Sequence, residues 1–252
     1  DKRPEQSSEK DILTLRTRWN LKTPDGSTTR GEAMLLRLKD ECQKGDINRP
    51  VNLDLRGITL AGQDLSRLDL SGYDLSYASL SRCDLTESNI SYALCRYTGF
   101  EKAILNECEF IGTDLNHASL NECTARNAGF GGADLSHASM INARLNEASL
   151  SKSKLVHTDL RAAELTDARL SEADLSDAIF TRAILVGSDL KHSIVVRTNF
   201  ELADLKRARL LGIKGFKEAQ WIGSDIRDMD LRGAYLVRRY ISDENYLYEF
   251  QS

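Results

Sequence analysis

Three of the four histidines, His117, His137 and His157, recur at intervals of 20 residues. The same interval carries Tyr77 and Tyr97 before them and Asp177 and Arg197 after them. Imidazoles in such a series could stack, titrate near neutral pH or ligate a transition metal. If 20 residues make one turn of a coil, these side chains form one exposed column with neighbours about 4.8 Å apart. Two readings of that column are open: the rings simply pack face to face, or the column offers a stripe to a protein. Leu94, Val156, Ile194 and Val196 are expected as exposed apolar neighbours on the same side. A straight column on a flat face converges poorly on one ion, so no metal ligand is assigned.

Other reactive residue types carry less. Glu87, Glu107, Asn127, Glu147 and Asp167 form a second, acidic series at the same interval, flanked by Arg67 and Arg207. The five cysteines, Cys42, Cys83, Cys95, Cys108 and Cys123, form no CxxC pair, which argues against a zinc site or disulfide framework and favours a reducing, cytoplasmic compartment. No phosphate loop, HExxH zinc motif or nucleophile–base arrangement occurs, so neither catalysis nor a cofactor is expected. With 34 Lys and Arg against 38 Asp and Glu, direct nucleic-acid binding is not expected either. No apolar run approaches the roughly 18 residues of a membrane span.

The element that must position these residues is a repeat of five. Stepping by five from Leu55 to Leu210 passes 32 positions, of which 22 are Leu and five are Phe. Two residues earlier, from Ala78 to Ala208, all 27 positions are Ala, Cys, Ser or Thr. The residue between is often Asp, as at Asp64, Asp84, Asp134 and Asp174. A period of five fits neither a helix nor a plain alternating strand, but it fits a chain that turns a corner every five residues. Four sides then close a square coil, with the large residue and the small one before it both pointing inward. The aspartates fall at structural slots of that coil, with no cleft to perturb them.

The triplets Cys83-Asp84-Leu85, Ala133-Asp134-Leu135 and Ala173-Asp174-Leu175 resemble the A(D/N)Lxx motif of the pentapeptide-repeat family. The resemblance implies an all-β solenoid, a right-handed quadrilateral β-helix, and the repeat centres taken four to a coil make about nine coils and a rod about 45 Å long. With no catalytic motif and no cleft, the expected function is a non-enzymatic scaffold that presents flat faces to a protein partner. Some members resemble B-form DNA and protect topoisomerases. Residues 51–236 hold 26 acids and 21 bases, a weak imbalance for such mimicry.

Expected boundaries are 1–10 (disordered), 11–50 (N-terminal cap), 51–236 (β-helix) and 237–252 (C-terminal helical tail). In the cap, Asp11 to Lys22 alternates and reads as strands, Pro24-Asp25-Gly26 as a turn, and Thr29 with Glu32 as a capping box opening a helix that stops near Gly45. Leu53, Ile58, Gln63, Leu68 and Tyr73 break the small-residue rule, so the first coils are expected to be widened or displaced against the cap. The phase slips one residue within Leu211–Gly215, placing later centres at Phe216, Trp221, Ile226, Leu231 and Leu236. In the tail, Tyr246, Leu247 and Phe250 share a face suited to a homodimer or to folding back on the last coil. The tail also loosely resembles the segment that joins pentapeptide repeats to a membrane pore in some bacterial channel-like proteins. That implies a larger membrane protein continuing beyond Ser252.

Overall fold

The structure is a computed structural model that describes residues 9–44 and 53–232. It opens with two helices, α1 (Glu9–Asn20) and α2 (Arg30–Lys44). The strands expected over Asp11–Lys22 are instead a helix as far as Asn20, with only Lys22 in a bridge, and Glu9 and Lys10 belong to that helix rather than to a disordered leader. The apparent alternation hid Ile12, Leu15 and Trp19, spaced to share one helical face, of which Trp19 is buried while Leu13 is 66% exposed.

The turn falls where expected. Gly26 N–H donates to the Thr23 carbonyl at 2.8 Å, with Pro24 in the position where its fixed φ helps. Lys22 and Thr29 pair across it. The capping box also forms: Glu32 N–H donates to Thr29 Oγ1 at 3.2 Å, and Thr29 N–H to Glu32 Oε2 at 2.7 Å. Leu35 and Leu38 on the inner face of α2 are buried.

From Asp54 onward the chain is a solenoid. Parallel bridges join each residue of the series to the one 20 later, from Asp54 with Asp74 to Ile194 with Lys214. They recur every five residues, so each turn has four sides. Each side is only one bridge long, because two residues of every five are spent on a corner. Carbonyl and amide bonds alternate between coils, as in Leu75 N–H to Leu94 O (2.7 Å) and Leu94 N–H to Tyr73 O (2.9 Å).

The register is undisturbed at the first coil. Ile58, Leu68 and Tyr73 are buried and Gln63 is exposed, so the large residues in small slots do not displace the coil. They share one core with Trp19, Leu35 and Leu38 of the cap.

A first coil has carbonyls with no preceding coil to bond them, and the cap supplies donors. Trp19 Nε1 donates to the Arg56 carbonyl at 2.8 Å, and Arg18 Nη2 to the carbonyls of Arg56 and Asp54 at 3.1 and 3.4 Å. Arg18 also pairs with the Asp54 carboxylate at 2.9 Å. Hydrogen bonds from Arg56 and then Arg18 hold that carboxyl far below the usual range.

The extra residue sits one corner later than expected. Lys214 still pairs 20 residues back, whereas Gln220 pairs with Asn199, 21 back, so the insertion lies in 215–219. Gly215, with φ 83°, begins a longer turn closed by Glu218 N–H to Gly215 O. Phe216 is thus a turn residue whose ring stacks on Trp221 at 4.7 Å, and Trp221 in turn stacks on Phe200 at 4.6 Å.

Candidate interaction face

Every corner from residue 57 to residue 212 has the same backbone. The amide two places before each centre donates to the carbonyl of the preceding centre, as in Ala78 N–H to Leu75 O at 2.9 Å. The residue just before that amide has a positive φ, for example Tyr77 at 62° and His117 at 59°. A hydrogen-bonded turn with positive φ at its third residue alone is of type II.

The Tyr77 to Arg197 series occupies these left-handed positions on one corner. The conformation turns each side chain outward and fixes it in register with those above and below. Ring centroids are 5.1 Å apart for Tyr77–Tyr97, 4.8 Å for Tyr97–His117, 4.8 Å for His117–His137 and 4.9 Å for His137–His157. The planes are parallel to within 18°. Below the rings, His157 Nε2 lies 4.0 Å from Asp177 Oδ2, and Arg197 clamps Asp177 through Nε at 2.6 Å and Nη2 at 2.5 Å. The expected ladder is assembled in full, from Tyr77 to Arg197.

Its electrostatics follow from stacking. Loss of solvent, then the like charge available to His137 and the Arg96 guanidinium, lower the His117 pKa. The Arg197 hydrogen bond, supplemented by its charge and by His157, holds Asp177 below the ordinary carboxylate range. Parallel rings 4.8 Å apart cannot bring two nitrogens of neighbouring imidazoles to one ion at bonds of about 2.0 Å without turning out of the stack. No group of three or more metal-ligating side chains occurs among the described residues.

The apolar neighbours divide. Leu94 is 46% exposed on the same coil side as Tyr97, but Val156, Ile194 and Val196 are half-buried, because the coils above and below cover them. The acidic corner forms as a column headed by an Arg67–Glu87 pair at 3.1 Å. The aspartates before the centres accept the amide two residues on, as Asp84 does from Thr86 at 3.0 Å, so they brace corners. Cys83, Cys95, Cys108 and Cys123 are buried in the core, and burial pushes Cys108 and Cys123 up to about 12. Tyr246, Leu247 and Phe250 lie outside the described residues.

Sequence reasoning missed the left-handed corner itself. The signal was present: Gly57, Gly62, Gly72, Gly112, Gly132, Gly187 and Gly212 all fall in that one slot.

The pentapeptide-repeat family model matches this chain in eight copies, over residues 54–91, 103–142, 143–182 and 183–214. The chain belongs to the pentapeptide-repeat family. Among solved structures similar to this pentapeptide-repeat protein is HetL, a protein involved in heterocyst differentiation regulation from the cyanobacterium Nostoc sp. strain PCC 7120. It is 26% identical, with 81% of this chain and 96% of HetL covered and a TM-score of 0.59. Rfr23 from the cyanobacterium Cyanothece 51142 is 31% identical over 41% of this chain and 63% of its own, with a TM-score of 0.30. QnrB1, a plasmid-mediated fluoroquinolone resistance protein, is 19% identical over 73% of this chain and 88% of its own, with a TM-score of 0.38. No curated protein sequence matches significantly. The repeat family and the HetL likeness make the solenoid a right-handed β-helix.

Proposed function

We propose that this pentapeptide-repeat protein is a non-enzymatic scaffold that presents the Tyr77–Arg197 ladder to a protein partner. The observation that carries the reading is the continuous stack of five rings from Tyr77 to His157 on one corner. Each of these residues occupies a left-handed conformation that Gly would adopt more readily. A pre-stacked ring row is rigid and amphipathic, so ordering it on binding costs little. The likeness to HetL supports a regulatory setting rather than a metabolic one. The four core cysteines, each buried singly, support a cytoplasmic setting within the same proposal. DNA mimicry finds less support, because the acidic corner is interrupted by Asn127 and Gly187 and headed by Arg67.

The test is capture from native lysate by the intact chain and by a variant with Tyr77, Tyr97, His117, His137 and His157 all changed to Ser. Circular dichroism checks that both are folded. A partner held by the intact chain and lost from the variant supports the ladder. Equal capture by both moves recognition to another face and ends this reading.

A further inference from the structure

The ladder has a fixed pitch, and pitch restricts what can lie along it. Its ring centroids repeat at 4.8 to 5.1 Å from Tyr77 to His157, the spacing of stacked parallel strands. One face of an extended strand repeats about every 6.6 Å, and a helix about every 5.4 Å. Either falls out of step with the ladder within a few coils. A surface that keeps step over seven side chains must itself be a stack of coils.

The ladder also has a direction. Tyr77 and Tyr97 stand at one end, with hydroxyls that both donate and accept. Asp177 and Arg197 stand at the other. That ion pair is closed within the chain, yet it exhausts neither group. Arg197 reaches Asp177 through Nε and Nη2 and not through Nη1, and its side chain is 63% exposed. Each carboxylate oxygen keeps a second lone pair. Between the ends stand three imidazoles, each a donor at one nitrogen and an acceptor at the other when neutral. Beside the ladder the neighbouring side of the coil is flat, since Ser79, Gly99, Ser119 and Ser139 follow one another there. No large side chain in that row holds an approaching rod away.

We propose that the partner of the ladder is the ladder of a second copy, the two rods lying side by side and antiparallel about a two-fold axis at His137. The inference rests on reading the ladder as a binding stripe and names what it binds. In this register Tyr77 meets the second copy's Arg197, and Tyr97 meets its Asp177. His117 meets its His157, and His137 meets its own counterpart. Tyr77 accepts from Nη1 of the guanidinium, Tyr97 donates to the carboxylate, and facing imidazoles share N–H···N bonds. Parallel rods would instead set Asp177 against Asp177 and Arg197 against Arg197, like charges in contact. A self-complementary patch of this kind is what a two-fold dimer requires. The strip is one corner wide, so the dimer belongs to the weak class of interfaces.

The test is sedimentation equilibrium of the full chain from about 5 to about 500 µM, where mass action should reveal a monomer–dimer equilibrium. The five-Ser ladder variant, checked for folding by circular dichroism, should stay monomeric. Two further variants read the orientation. Tyr77→Arg sets arginine against the second copy's Arg197 at both ends and should weaken self-association about tenfold. Arginine suits the position, since Arg82, Arg182 and Arg207 hold the same corner conformation at φ 60°, 61° and 57°. An equimolar mixture of Tyr77→Arg with Arg197→Tyr should regain most of the intact affinity, because the mixed dimer has one tyrosine and one arginine at each end. A chain monomeric at about 500 µM, a dimer that survives in the five-Ser variant, or a mixture no tighter than Tyr77→Arg alone would each overturn the proposal. The first of these results leaves the ladder reading to the lysate capture, so the two fail separately.

Discussion

At the scale of single residues, the histidine stack is a place where neighbours set chemistry. His117 has its folded pKa lowered, by desolvation first and then by His137 and Arg96. A lowered histidine pKa means that the unfolded chain takes up the proton more readily. Its stability contribution is therefore complete above the ordinary histidine range and is lost as pH falls to the lower folded value. Two-dimensional NMR should show His117 titrating below a free histidine, and urea midpoints should fall as pH drops from about 7 to about 5. Replacing His137 by Asn removes one of the two like charges and should move the His117 midpoint upward. An unmoved midpoint would mean the stack does not couple the rings. Residues of this kind were well placed by the sequence, because a 20-residue interval is enough to draw a column. Burial of Cys83, Cys108 and Cys123 was likewise readable from their small-residue slot. The half-buried state of Val156, Ile194 and Val196 was not, since it depends on how far side chains in adjacent coils overlap.

At the scale of the coil, buried hydroxyls tie one turn to the next. Thr98, Thr113, Thr158 and Thr198 each donate from Oγ1 to a centre carbonyl 23 residues earlier, Thr158 reaching Leu135 O at 2.8 Å. Ser88, Ser153 and Ser188 instead donate to the carbonyl three residues back within their own coil. Ser193 occupies the same kind of slot, and its buried Oγ has no partner. Thr158→Val should therefore cost about 1 kcal/mol, the net worth of a buried hydrogen bond. Ser193→Ala should be neutral or stabilising, because it removes an unsatisfied polar atom. Paired denaturation curves decide this, and an equal loss in both variants would contradict it. The coil itself could be read from a strict period of five. The left-handed corner was only hinted at by glycines, because backbone dihedrals leave no periodic trace in residue types that tolerate them. The α1 helix was misread because its short apolar face, Ile12, Leu15 and Trp19, overlaps a false alternation through Leu13 and Leu21. The slip was found but misplaced, since two glycines at 212 and 215 drew attention one corner too early.

At the scale of the whole molecule, a stack of coils in which each touches only its neighbours has ends that can fail separately. The two tryptophans report on this: Trp19 sits in the cap and Trp221 near the other end of the described solenoid, each 8% exposed. Arg18→Ala removes the guanidinium bonds to Asp54 and to the first-coil carbonyls, a loss of about 1–2 kcal/mol. In a Trp221→Phe background, the Trp19 emission transition should shift to lower urea. In a Trp19→Phe background, the same Arg18 change should leave the Trp221 transition in place. Equal shifts in both would show that the rod unfolds as one unit.

The longer turn at 215–219 has a further consequence. It lengthens one corner, yet the three bridge series beyond it, at Gln220, Asp225 and Asp230, resume without loss, each simply counted as 21 instead of 20. The molecule thus contains its own expansion joint. Sequence added there is absorbed outside the square cross-section, leaving the faces above and below aligned. A peptide tag or reporter loop grafted between Phe216 and Ala219 would hang from the rod like a pennant from a mast, marking its position along the axis without bending it.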